Sequence, residues 1–101
     1  MIDYAEAAVV DLDDIWSYTA ITQGSPAQAE RLMDNLRTAI ELLAEQPRMG
    51  RERNDWKQGL RMFTVRRYLI LYREIEGGVL IERVLNAYRN IEGLLREPRA
   101  E

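Results

Sequence analysis

The hydrophobic period of this chain changes once, at Pro47, and that change limits the folds open to it. Before the proline, apolar residues recur with the spacing of a helix face; from Leu60 onward they alternate as in strands. Ala29, Leu32, Met33, Leu36, Ala39, Ile40 and Leu43 make one clean stripe, opposite Glu30, Asp34, Glu41 and Glu45, with Arg37 spaced to pair with Glu41. Ser25-Pro26-Ala27-Gln28 opens this helix with an N-cap serine, proline at the first helical position and glutamine three residues after the serine. A helix upstream carries Ala8, Leu12, Ile15, Trp16 and Thr19, with Asp3 and Glu6 spaced as a capping box and Gly24 closing it. Trp16, beside Ile15, is expected in the core. Two amphipathic helices on a short connection predict an antiparallel helical hairpin.

After Pro47 comes a polar loop, Gln46 to Gln58, holding Arg48, Arg51, Arg53, Lys57 and a tryptophan, Trp56. Trp56 either caps the core or anchors an interface. Three strands are expected over Leu60–Val65, Tyr68–Ile75 and Val79–Leu85, with Arg66-Arg67 as one tight connection and Gly77-Gly78 as a two-residue hairpin turn. Met1 to Asp3 give weak support for a further short strand, and a last helical turn or two is expected from Asn90, covering Ile91, Leu94 and Leu95. Strict alternation groups Leu60, Met62 and Thr64 against Arg61, Phe63 and Val65, and Val79, Ile81, Arg83 and Leu85 against Leu80, Glu82, Val84 and Asn86. Neither sheet face is uniformly polar. The side away from the helices is expected to be semi-apolar with arginines, suited to a partner peptide or a nucleic-acid backbone. The expectation is one α+β domain over residues 1–101, an N-terminal helical hairpin on a three- to four-stranded antiparallel sheet with a short C-terminal helix.

Charge is divided as sharply as periodicity. Met1 to Pro47 carry nine acidic residues against two basic ones, Arg31 and Arg37, whereas Arg48 to Glu101 carry twelve basic against eight acidic. Excess charge without partners in its own segment points to a binding surface, although each arginine has an ordinary alternative as a solvated side chain or a partner of the acidic helices. The chain has no cysteine and no histidine, so disulfides, thiol nucleophiles, imidazole bases and the usual zinc ligand sets are excluded. No metal or cofactor is expected. No apolar run approaches the roughly twenty residues of a membrane span, and Asp3 and Glu6 do not fit a signal peptide. A cytoplasmic location follows by default.

The ordered set Asp11-Leu-Asp-Asp-Ile-Trp-Ser-Tyr18, Ala39-Ile-Glu-Leu-Leu-Ala-Glu-Gln-Pro-Arg-Met-Gly-Arg51, Gly59-Leu-Arg-Met-Phe63, Arg67-Tyr-Leu-Ile-Leu-Tyr-Arg73 and Ile81-Glu-Arg-Val-Leu85 resembles the RelE/ParE superfamily of toxins from bacterial type II toxin–antitoxin modules. The resemblance implies one of two activities. RelE-like members cut messenger RNA on the ribosome with basic residues; ParE-like members poison DNA gyrase. Leu69 falls where RelE-like enzymes carry an arginine, Phe63 replaces a second basic residue, and Asn86 stands where many relatives carry histidine, so the ParE branch is the closer likeness. A nuclease reading would rest on Arg61, Arg83, Tyr88 and Arg89. A third reading is a non-toxic relative that binds an antitoxin or nucleic acid. The ParE-like reading implies a cognate antitoxin, ParD-like with a ribbon-helix-helix DNA-binding half, so that operator DNA is met only through the antitoxin and no membrane is involved. Contacts to antitoxin or target are then expected at Trp56, Arg61, Phe63, Arg66, Arg67, Tyr68, Arg73, Arg83, Asn86 and Arg89.

Overall fold

The computed structural model describes residues 1–88; Arg89 and the helical turn expected from Asn90 lie outside that range. The chain runs through strand β1 (Ile2–Tyr4), helix α1 (Glu6–Ser17), a π-helical turn (Tyr18–Thr22), helix α2 (Pro26–Glu45), and strands β2 (Arg51–Glu52), β3 (Arg61–Val65), β4 (Tyr68–Ile75) and β5 (Gly78–Asn86). The strands form one sheet in the order β1-β5-β4-β3-β2, with β1 parallel to β5 and every other pair antiparallel. The α+β class is as expected. The sheet, however, has five strands and one parallel pair rather than three or four antiparallel ones. Strand β1 answers to the short strand weakly supported at Met1 to Asp3, shifted by one residue, whereas β2, two residues long, is too short for a periodic signal.

Local signals succeed where they are self-contained and fail where the sheet supplies the partner. Ser25 caps α2 as expected, its hydroxyl accepting from the Gln28 amide at 3.3 Å with Pro26 at the first position. The Asp3–Glu6 capping box does not form. Asp3 is paired with Leu80 inside β1, and α1 starts after Ala5 with no side-chain cap. The Ala5 amide instead donates to the Ile81 carbonyl at 2.9 Å, so the sheet holds the helix entry. Arg37 pairs with Asp34 at 3.0 Å rather than with Glu41. Gly24 does end the first helical segment, by way of the π-turn.

The main core lies between the hairpin and the sheet. Ala8, Leu36, Ala39, Ile40 and Leu43 meet Ile70, Tyr72, Val79, Ile81 and Val84 there, with Leu12, Ile15, Phe63 and Val65 packed at the edge. Trp16 is not part of it and remains 39% exposed. The inward stripe of α1 follows Ala8, Leu12 and Ile15 and reaches Thr19 in the π-turn; Trp16 sits a further ~100° around the helix. A second cluster, Leu60, Leu69, Leu71 and Leu85 with Trp56 and Met62, occupies the opposite sheet face. Here Trp56 caps apolar residues, and the loop before β3 covers part of a face expected to be open.

Strict alternation breaks in β5. Leu71 pairs with Arg83 but Tyr72 pairs with Ile81, leaving Glu82 as the extra residue of a bulge. The bulge reverses the side-chain parity after Ile81. Val84 therefore joins Val79 and Ile81 under the helices, while Leu85 turns to the other face. Glu82 receives Lys57 at 2.9 Å and also Arg73, clamping the loop and β4 together.

Two buried polar groups set the position of the remaining pieces. The hydroxyl of the fully buried Tyr72 donates to the Pro47 carbonyl at 2.7 Å and accepts from the Gly50 amide at 2.8 Å. A Cβ at Gly50 would fall on the tyrosine ring and hydroxyl, so only glycine admits this contact. Gly78 is similar: its missing Cβ leaves room for the Met1 carbonyl, which accepts from the Val79 amide at 3.1 Å. The second group is Asp11 on α1. Its carboxylate takes Arg83 through both Nε (2.8 Å) and an Nη (2.9 Å) and also accepts the backbone amide of Val84 at 2.9 Å. The pairing of β1 with β5 stops at Ile81, so Asp11 supplies the acceptor that the missing strand would have supplied. The charge-assisted bond to Asp11, the largest cause, holds the Arg83 guanidinium above its ordinary value.

Asp11→Ala strands the Val84 amide and an arginine whose side chain is 31% exposed. That partial exposure places the expected loss at about 3 kcal/mol, the lower end for breaking a buried pair. Asp11→Asn, which keeps an acceptor for the amide, is expected to lose less. Urea unfolding of the two variants checks the order, and an Asp11→Ala midpoint equal to the parent's would refute the role given to Asp11.

Tyr72→Phe should cost about 1–3 kcal/mol at neutral pH by leaving the Pro47 and Gly50 groups unpaired. Burial, the largest cause, pushes the Tyr72 phenol above its ordinary 10.0, against the pull of the Gly50 hydrogen bond and Arg61. The folded state therefore holds this proton more tightly than the unfolded state. The contribution is complete below pH ~10 and is lost as the pH rises through the folded value. The stability gap between parent and Tyr72→Phe is expected to hold up to pH ~10 and to narrow as the pH rises further; a gap that stays constant above that point would show that Tyr72 does not titrate in this way.

Candidate functional site

The arginines that make the second half of the chain basic fall into two groups in space. Among the described residues most are neutralised locally. Arg48 pairs with Glu74 at 3.3 Å, Arg53 with Asp55 at 2.8 Å while lying 3.5 Å over the Trp56 ring, and Arg73 with Glu82. Arg61 reaches the Gly50 carbonyl at 2.7 Å, the Arg48 carbonyl at 3.2 Å and Glu52 at 3.2 Å. Arg83 is held by Asp11. Among the described residues, Arg31, Arg51, Arg66 and Arg67 form no ion pair.

Three of these four line one cleft. It is about 820 Å³ in volume and lies between the π-turn end of the helical hairpin, where the two helices connect, and the β3–β4 turn. Arg66 and Arg67 come from the turn, Tyr68 and Asn86 from the adjoining strand ends, Tyr18, Thr19 and Gln23 from the π-turn region, and Gln28, Arg31, Leu32, Asp34 and Asn35 from α2. The turn is as tight as the sequence implied, but it places Arg66 in the left-handed region at φ 54°, uncommon for a long side chain. The Arg67 carbonyl accepts from the Ala87 amide at 2.6 Å, which ties the turn to the end of β5. A second cleft, lined by Arg48, Glu52, Asn54, Gly59, Leu60, Arg61, Arg73 and Glu74, is different in kind: each of its charged residues already has an opposite charge.

The residues singled out from sequence are therefore dispersed. Phe63 packs against the helix-side core and Tyr68 is nearly buried within it. Trp56 is half-buried on the opposite face. Arg66, Arg67, Tyr68 and Asn86 meet at the cleft. For the nuclease set, the Arg61 guanidinium turns toward the β2 edge of the sheet and the Arg83 guanidinium toward α1 beyond the β5 edge. These two groups point away from each other and do not converge on one phosphate. Tyr88 is 84% exposed, with its amide bonded to the Asn86 side chain at 2.9 Å.

Sequence reasoning passed over Tyr18, Gln28, Arg31 and Asn35, although Gln28, Arg31 and Asn35 recur at helical spacing on α2. It also passed over an apolar outer surface on the first helical segment, where Val9, Val10, Trp16, Tyr18 and Ile21 are exposed, Ile21 to 71%. Among the described residues there is no cluster of carboxylates placed to hold a metal and no helix long and apolar enough to cross a membrane.

This architecture and this sequence have counterparts among known proteins. Residues 2–91 match the family model of the ParE toxin of the type II toxin–antitoxin system parDE. Toxin ParE3 of Caulobacter vibrioides is 31% identical over 85 residues, covering 84% of each chain. Toxin ParE1 of the same organism is 34% identical over 85 residues, 82% of this chain and 84% of that one. Toxin ParE1 of Mycobacterium tuberculosis is 31% identical over 87 residues, 85% of this chain and 88% of its own. The fold resembles a solved structure of the chromosomal ParDE TA system from P. aeruginosa, with a TM-score of 0.71 at 18% identity over 84% of this chain and 92% of that chain. The chain belongs to the ParE toxin family of type II toxin–antitoxin systems.

Proposed function

We propose that this chain inhibits DNA gyrase by binding it, without cutting nucleic acid, and that a cognate ParD-type antitoxin neutralises it. The observation that carries the proposal is the commitment of Arg61 and Arg83 to structural partners at opposite sheet edges. Phosphodiester cleavage needs cationic groups aimed at one developing charge. Here two of the three cations of the nuclease set, Arg61 and Arg83, serve the β2 loop and the α1 crossing instead. Asn86 supplies no general base near neutral pH.

The apolar outer surface of the first helical segment is the natural seat for the antitoxin. Val9, Val10, Trp16, Tyr18 and Ile21 are too many exposed apolar residues for a single short segment to be explained singly. An amphipathic segment of the antitoxin laid across the hairpin would bury them. Operator DNA would then be met by the antitoxin's ribbon-helix-helix half.

Gyrase supercoiling assays with the purified chain are expected to show inhibition at stoichiometric toxin, reversed by the antitoxin. Normal supercoiling under stoichiometric excess, from a preparation that arrests growth when expressed, would remove gyrase as the target. Tyr88→Phe separates the binding and cleaving readings cleanly, because so exposed a side chain carries little stability. Its toxicity in cells should equal the parent's within about twofold; a hundredfold loss, the scale expected for a lost proton-transfer group, would restore the nuclease. Arg83→Ala is no substitute, since it breaks the Asp11 pair and lowers toxicity by unfolding.

A further inference from the structure

The geometry points to a carboxylate-binding site in the cleft between α2 and the β3–β4 turn, one that takes an acidic segment of a protein partner. It adjoins the apolar surface assigned to the antitoxin at Tyr18 and does not depend on gyrase being the target. Arg31, Arg66 and Arg67 line this cleft from two unrelated parts of the chain, and among the described residues none of them has an acidic partner. The contrast with the rest of the molecule is the argument. Arg48, Arg61, Arg73 and Arg83 each found a carboxylate in a chain with more acidic than basic residues. Three arginines left without one around a single concavity leave a cationic hollow.

Arg66 adds an independent observation. It occupies a left-handed backbone conformation at φ 54°, where glycine would be the less strained choice. A long cation held there costs stability and gains no intramolecular ion pair among the described residues. Strain kept without a structural return is a mark of a binding position. The neighbouring groups suit the same ligand. The Asn86 side-chain oxygen is already used by the Tyr88 amide, which leaves the Asn86 NH2 to donate, and Gln28 offers a second amide from α2. Arginine forks and amide donors together match the paired oxygens of a carboxylate.

The occupant is a peptide and not a nucleic acid because the cationic patch is short. Asp34, exposed and bound to Arg37, lines the same cleft, and Glu30 is a neighbour on α2. A polynucleotide needs a track of cations along its backbone, and these carboxylates would repel its next phosphates. Discrete glutamates or aspartates meet no such obstacle. Tyr18 in the cleft wall offers apolar contact to a side chain flanking the acidic ones.

Titration of the isotope-labelled full chain with a capped Glu-Glu-Leu-Glu-Glu-Leu peptide, followed by NMR at low salt, tests the site. Saturable shifts are expected at Arg31, Arg66, Arg67 and Asn86, with binding at least tenfold weaker in 0.5 M sodium chloride. Arg66→Gly relieves the backbone and removes the charge, so it should match or exceed the parent in thermal stability and still bind the peptide at least tenfold more weakly. Arg31→Ala is expected to weaken binding in the same way from the other wall. Shifts confined to other residues, or unchanged affinity in both variants, would overturn the proposal. Displacement of the peptide by a twelve-nucleotide single strand at equal concentration would overturn it in favour of nucleic acid.

Discussion

The carboxylate of Asp11 is the contact on which the placement of the first helix depends. Strand β1 covers only the first part of β5, and beyond Ile81 that edge of the sheet has no strand partner among the described residues. Asp11 reaches across and receives the Val84 amide together with the Arg83 guanidinium. One side chain thus satisfies a backbone donor, compensates a half-buried charge and sets where α1 crosses the sheet. The bulge at Glu82 belongs to the same arrangement. It brings Val84 beneath the helices and shifts Leu85 to the other face. Remove the bulge and the apolar residues of β5 no longer divide between the two cores.

This arrangement also restricts the chemistry available to the toxin. An arginine locked to a carboxylate and packed at a helix–sheet junction cannot swing onto a phosphate without exposing Asp11 and the Val84 amide. Arg61 is restrained comparably by two carbonyls of the β2 loop and by Glu52. Among the described residues, most of the basic side chains of the second half are therefore spent within the fold. Exposed ion pairs such as Arg48–Glu74 contribute little stability, but they do cancel charge. Among the described residues the unpaired arginines are Arg51 and, gathered at one cleft, Arg31, Arg66 and Arg67.

Much of the fold was legible in the residues. The α2 stripe, its Ser25 cap and the bounds of β4 follow from spacing and turn chemistry, which depend on near neighbours. The misses share a cause. Asp3 reads as a helix cap because it is polar and three residues before Glu6, yet it lies in a strand because β5 offers it a backbone ladder. Trp16 reads as core from its neighbour Ile15, yet the helix rotates it outward. Phe63 reads as a surface contact, yet its alternation with Val65 puts it under the hairpin. Half of the cleft was visible as a run of arginines and an asparagine. The α2 half was hidden because nothing in the local pattern says which polar side of a helix faces a turn more than thirty residues away.

Sequence by itself determined that this is a helical hairpin followed by a meander, that histidine and cysteine chemistry is absent, and that the chain resembles a toxin family. The first two are written in composition and in short-range periodicity, which short-range forces suffice to express; the resemblance rests on the ordered set of segments from Asp11 to Leu85. Only the tertiary structure decided which charges are free. Whether an arginine is a ligand-binding group or an internal strut depends on whether a carboxylate from a distant element comes within hydrogen-bonding reach, as Asp11 does for Arg83 across seventy-two positions. That proximity is a property of the packed helices and the bulged strand, and no local pattern contains it.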